Sequence, residues 1–292
     1  MRKLFDLGDG LALAVATSPP AKGELDPGAV TQYPTSELQK GLLLLDGGQE
    51  LSNEGVGFGV PVLKRGPRAV FPGTAEIVVH GGTPQAVTML FAMDRVERLS
   101  GRRHRSIVHR PLDEAREAFA LLYRRAPALR RPLLAASNGI RWTLRVRTRF
   151  EQTTPVAIVP VTCRAGDQPG EVVVSADLGR LPASVTEVIL MNELGADVFD
   201  RYVDSDGADE RGSGIGAWNQ VRGASASFVA SASGVSFTLE RAPDPEAPGA
   251  RLFRGREVAK GRLAWAGFGY SLRPGPPTFT YTLRVARDKE QP

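Results

Sequence analysis

The segment IRWTLRVRTRF, residues 140–150, carries Arg141, Arg145, Arg147 and Arg149 on alternate positions, with Thr143 filling the gap. In a β-strand these side chains share one face, and Trp142, Leu144, Val146, Thr148 and Phe150 share the other. Planar guanidinium forks grip carboxylates and sulfates bidentately, so the arginine face either is solvated or holds an anionic partner. Uronate- or sulfate-bearing saccharides are partners of that kind, and Trp142 completes the set of candidate binding residues.

Other side chains suit proton transfer or stacking. Glu54, Glu193 and Glu257 are candidate acid–base carboxylates, but spacing along the chain does not say which of them meet. Glu257 stands in RGREV with Arg254 and Arg256 beside it, an arrangement that a structural ion pair explains. Trp142, Trp218 and Trp265, with Tyr202 and Tyr270, offer aromatic faces on which the C–H face of a pyranose can stack. Its hydroxyls then need forked polar partners.

Several chemistries find no support. Cys163 is the only cysteine, so neither an intramolecular disulfide nor a cysteine-based metal cluster can form, and its strand-like surroundings suit a small buried hydrophobe. DRYVDSDGADERG gathers Asp200, Asp204, Asp206, Asp209 and Glu210. Setting Gly207 at the turn of a calcium loop puts Tyr202 and Ser213 where the essential carboxylates belong, which favours a solvated acidic loop. His80, His104 and His109 are too irregularly spaced for a zinc pattern. NEGVGFGVPV has Val60 where a dinucleotide fingerprint needs glycine, and no helical pattern follows, so a strand or bulge with a close backbone approach is expected. No metal or cofactor is expected.

The elements that must position these residues are mostly strands. The chain has 292 residues, 42% of them hydrophobic and 24% charged, with 32 glycines and 22 prolines in short clusters between apolar runs. That punctuation suits many strands joined by turns. Thirteen strand-like segments can be marked, from GLALAVAT to TFTYTLRVAR. Asp46-Gly47-Gly48 and Ser233-Gly234 are candidate hairpin turns. RPLDEAREAFALLYRRAP breaks the pattern: Leu112, Ala115, Phe119 and Leu122 recur at helical spacing after Pro111. A helical pair is therefore expected at about 111–137, inserted into one large antiparallel β-sandwich domain over residues 1–292.

The net charge of +5 is concentrated in the middle, where residues 94–132 hold eleven arginines against five acids. Such a zone attracts anionic polysaccharide, nucleic acid or a membrane surface, or is simply solvated. No nucleic-acid motif accompanies it, so nucleic acid is not an expected partner. Asp6 and Asp9 interrupt what would be the apolar stretch of a leader, and no run is long enough to span a bilayer. The expectation is a soluble, cytoplasmic protein without membrane attachment; the sequence leaves its oligomeric state open.

Three short motifs resemble the galactose-mutarotase (aldose 1-epimerase) β-supersandwich family. His80-Gly81-Gly82 follows an apolar strand, Glu240 in LERAPD precedes Pro243-Asp244, and LRPG at 272–275 precedes TFTYTLRV. The resemblance implies a supersandwich-like fold. It also implies hemiacetal ring opening, with Glu240 as base and His80 or His109 as acid, or else a non-catalytic relative that binds or processes polysaccharide. The reading reached from sequence is a carbohydrate-binding or carbohydrate-modifying β-sandwich. The alternative is a non-enzymatic module whose arginine-rich strand face holds an anionic partner.

Overall fold

The computed structural model describes residues 2–16, 38–51, 55–66, 68–81, 86–100, 147–216, 218–240, 249–259, 263–275 and 277–288. Among these there is no α-helix and none long and apolar enough to cross a membrane. The described residues are mainly antiparallel strand, arranged like a sandwich. The helical pair expected at about 111–137 lies outside the described residues.

A small sheet holds β1 (Arg2–Gly8), β2 (Leu11–Val15), β3 (Leu43–Asp46) and β4 (Gln49–Glu50) in that order. The turn from β3 to β4 is Gly47-Gly48, both at positive φ, the geometry that a two-residue hairpin demands and that glycine adopts freely.

The large sheet contains the remaining fifteen strands. They are β5 (Gly57–Arg65), β6 (Arg68–His80), β7 (Ala86–Ser100), β8 (Arg147–Gln152), β9 (Ile158–Ala165), β10 (Glu171–Asp177), β11 (Glu187–Gly195) and β12 (Arg201–Asp204). Then come β13 (Asp209–Arg211), β14 (Asn219–Gln220), β15 (Ser225–Val229), β16 (Val235–Glu240), β17 (Arg251–Ala259), β18 (Leu263–Leu272) and β19 (Thr278–Arg287). Their order is β13-β12-β15-β16-β19-β10-β9-β7-β6-β5-β11-β18-β17-β14, with β8 added beside β7.

This sheet folds over on itself, because side chains distant in strand order meet across the core. Phe58 of β5 packs edge-to-face on Phe237 of β16 at 5.4 Å. Asn192 of β11 accepts a hydrogen bond from the Tyr281 hydroxyl of β19 at 2.8 Å and a second from the Gly59 amide at 3.1 Å. Gly59 is the extra residue of a bulge in β5, at φ +76, so the glycine-rich run is strand and bulge as expected. Cys163 is fully buried in β9 and its thiol is pushed up to about 12 by burial, which leaves it inert as a nucleophile.

The fold's corner lies in β6. Before Pro72 the core-facing residue is Val70, and after Gly73 the inward residues are Ala75, Ile77 and Val79. The register breaks on both sides of Pro72, and one extra residue in a period of two sends the opposite set of side chains inward. The corner is fastened by Asp94, a buried acid that accepts the Gly73 amide at 2.9 Å. Asp94→Ala would strand that amide, and a loss of about 1–3 kcal/mol is expected. Chemical denaturation checks it: the midpoint should fall with an unchanged slope.

Candidate functional site

Strand alternation and register place a patch of nine residues on one face of β11, β18 and β17, the face opposite Leu190, Phe268 and Leu252. Gly195, Trp265 and Glu257 form one row across the three strands; Glu193, Gly267 and Gly255 form the next; Met191, Gly269 and Phe253 form the third. The reverse face of the same strands buries Leu190, Leu194, Ala266, Phe268, Tyr270 and Leu252 in the core. The patch is thus fixed by the packing beneath it.

Four of the nine positions are glycine, and indoles lie over two of them, Gly255 and Gly269. A methyl group at Gly269 would sit 3.0 Å from Trp218 Cζ3, and one at Gly255 would sit 2.9 Å from Trp265 Cη2. Trp218 and Trp265 are stacked, with ring centroids 5.1 Å apart and planes at 30°. Trp265 is only 3% exposed, whereas Trp218 is half-buried. The Trp265 indole N–H is buried without a hydrogen-bond acceptor, which is unusual for a buried polar group.

Trp218 holds a left-handed backbone at φ +52, a conformation that costs a non-glycine residue energy and persists only when its surroundings impose it. Those surroundings are identifiable. The Gly216 carbonyl accepts the Arg256 amide at 2.8 Å. The Ile215 carbonyl accepts the Asn219 side chain at 3.1 Å and the guanidinium of Arg254. Arg254 also pairs with Glu210 of β13 at 2.7 Å and lies 4.3 Å over the Tyr202 ring. It therefore ties β17 to β13, which lies at the other end of the sheet order, and anchors the turn that presents Trp218. Arg256 donates to the carbonyls of Ala196 and Phe199. Both arginines are on the strand face opposite Glu257, so sequence neighbourhood does not make them its face partners.

Glu193 is 7% exposed. Burial, reinforced by the negative charge of Glu257, pushes its carboxyl up to about 8, so it is protonated at neutral pH. A neutral carboxyl donates one hydrogen bond and can release a proton, which is what a general acid needs.

Four of the five acids of residues 200–210 have structural partners, Glu210 through Arg254. Asp204 accepts the Tyr202 hydroxyl and the amides of Asp206 and Ala208. Asp209 pairs with Arg201 at 2.8 Å, and Asp200 accepts the Ser231 amide at 2.9 Å. This loop is held by its own carboxylates, in keeping with the acidic-loop reading. Among the described residues no group of three or more histidines, cysteines and acids could hold a metal.

Glu240 is exposed at the end of β16, where its backbone carbonyl accepts the Tyr270 hydroxyl. His80 is exposed at the end of β6 and is hydrogen-bonded to Thr88 at 2.8 Å. Four strands separate β16 from β6 in the sheet order. Arg147 and Arg149 lie on β8, opposite Ser100 and Arg98 of β7. Arg141, Trp142, Arg145, His109 and Glu54 lie outside the described residues.

Sequence reasoning named Glu193, Glu257, Trp218 and Trp265 singly and missed their meeting. A signal was present in LAWAGFGYSL: Trp265, Gly267 and Gly269 alternate, so one face of a strand carries an indole followed by room for another.

No family model and no curated protein matches the chain. Among solved structures it is similar to a quadruple mutant of the alpha-N-acetylgalactosaminidase NagBb from Bifidobacterium bifidum, with 10% identity and a TM-score of 0.48. The alignment covers 98% of this chain and 36% of that one.

Proposed function

We propose that this protein binds carbohydrate on the Trp218–Trp265 platform, with Glu193 as a hydrogen-bond donor to the sugar. One observation supports this above the others: a half-buried tryptophan, stacked on a second, is set over glycines beside a buried carboxyl. A pyranose presents a C–H face that an indole can cover, and hydroxyls at its rim that need donors and acceptors. The platform offers the first, while the carboxyls of Glu193 and Glu257 beside it offer the second. The left-handed backbone of Trp218 adds weight, because such strain gathers at functional positions.

The test is a titration of intrinsic fluorescence and heat against soluble oligosaccharides. Trp218→Ala is expected to weaken binding by about tenfold, or 1.4 kcal/mol, with thermal stability little changed. Equal affinity in wild type and Trp218→Ala would overturn the proposal. Glu240→Gln separates it from the epimerase chemistry implied by the resemblance: saccharide affinity is expected to stay unchanged, whereas that chemistry requires Glu240 and a histidine, His80 or His109, to act on the sugar. Polarimetry on an aldose tests the epimerase reading directly.

A further inference from the structure

We infer that the saccharide held by this platform carries an oxyanion, a uronate carboxylate or a sulfate ester, and that the Arg251 guanidinium receives it. The inference rests on the platform reading and specifies its ligand class. Strand register continues the patch by a fourth row, Ile189, Ser271 and Arg251, beyond Met191, Gly269 and Phe253. It also widens the third row, because Gln220 of β14 pairs with Phe253. Residues paired in this way share a face.

Trp218 meets this end of the patch. A methyl group at Gly269 would sit 3.0 Å from Trp218 Cζ3 and 3.2 Å from Ile189 Cγ2. Beside Gly269 stands Phe253, and the Arg251 guanidinium lies 5.3 Å over its ring, where cation–π attraction helps to hold it.

Arg251 is exposed and has donors to spare. Its terminal nitrogen stands 3.5 Å from Ser271 Oγ, at the outer limit of a hydrogen bond. The Ser271 hydroxyl itself donates to Glu187. Arg201, Arg254 and Arg287 each hold a carboxylate, whereas Arg251 has no ion pair among the described residues. A guanidinium set over a ring, with most of its five donors unused, grips a two-oxygen anion bidentately. Gln220, exposed on β14, adds an amide that donates to the same anion or to a neighbouring hydroxyl.

The acids of the platform stand clear of this end. Glu193 lies two rows from Arg251 and Glu257 three, which is about 13 and 20 Å along the strands. A saccharide whose charged substituent is at Arg251 therefore covers Trp218 with its C–H face and extends its hydroxyls toward Glu193.

The experiment titrates two matched pairs by calorimetry at low and high salt: an oligouronate against its carboxyl-reduced counterpart, and a sulfated oligosaccharide against its desulfated counterpart. Wild type, Arg251→Gln, Trp218→Ala and the double variant Arg147→Glu with Arg149→Glu are compared. In at least one pair wild type is expected to bind the anionic member about tenfold more tightly, and that pair names the oxyanion. The preference should shrink at high salt and fall to about twofold or less in Arg251→Gln, while Trp218→Ala weakens both members. Equal or tighter binding of the neutral members, still dependent on Trp218, would overturn this inference and leave the platform standing. So would a preference that survives Arg251→Gln and disappears in the arginine double variant. Binding indifferent to Trp218, or none in either pair, would overturn both.

Discussion

Raising the pH from about 5 to about 8 is expected to destabilise the protein, with Glu193 supplying up to about 1.4 kcal/mol of loss per pH unit. The unfolded chain releases this proton near 4.5, whereas the folded protein holds it to about 8. Between those values the folded state binds one more proton than the unfolded state, so stability is full below the window and falls as pH rises through it. Glu193→Gln keeps the shape and a donor without the titration. Its stability is expected to be nearly flat over the same range, measured by denaturant midpoints at several pH values. Glu257→Gln removes the neighbouring negative charge, and the decline should then end at a lower pH. A Glu193→Gln protein with the wild-type slope would show that another group carries the dependence. The same proton bears on function, since a sugar that accepts from neutral Glu193 should bind more weakly above about pH 8.

Arg254→Met is expected to cost about 3 kcal/mol, with a fall in Tm of roughly 6 °C or more. The guanidinium is 8% exposed and joins three features: the Glu210 carboxylate, the Ile215 carbonyl and the Tyr202 ring. Methionine replaces the aliphatic packing but leaves the partly buried Glu210 carboxylate without its cation. The double variant Arg254→Met with Glu210→Gln should recover part of the loss, because the uncompensated charge is then gone. A further readout separates this anchor from general packing. Freed of Arg254, the turn at 215–219 no longer imposes the left-handed backbone of Trp218, so the exciton signal of the stacked indoles in circular dichroism should weaken at temperatures well below unfolding. An Arg254→Met protein with unchanged Tm and indole signal would refute the anchoring role.

Much of the architecture is visible in local pattern. Alternation in SASFV and VSFTLE yields β15 and β16 with inward Ala226, Phe228, Val235, Phe237 and Leu239, because burial on one face of a strand needs only a period of two. The Gly47-Gly48 turn was readable for a similar reason: its conformation depends on its own residues. Apolar surroundings around Cys163 were enough to assign it to the core.

What the sequence left open depends on which strands become neighbours. Glu193, Trp218, Glu257 and Trp265 belong to four segments, and only the order β11-β18-β17-β14 brings them to one face. Parity at the corner was equally hidden, since the extra residue at Pro72-Gly73 reverses the inward set of β6 without altering its alternation on either side. Arg254 and Arg256 show the difference most directly. Beside Glu257 in sequence, they face the other way in the strand, and their partners come from segments some forty to sixty residues away. Chain composition and periodicity determined that this is a turn-rich β protein with a buried thiol. The tertiary pairing alone decided which acid is desolvated, which indole is supported and where a ligand can rest, because charge, burial and room are properties of neighbours in space.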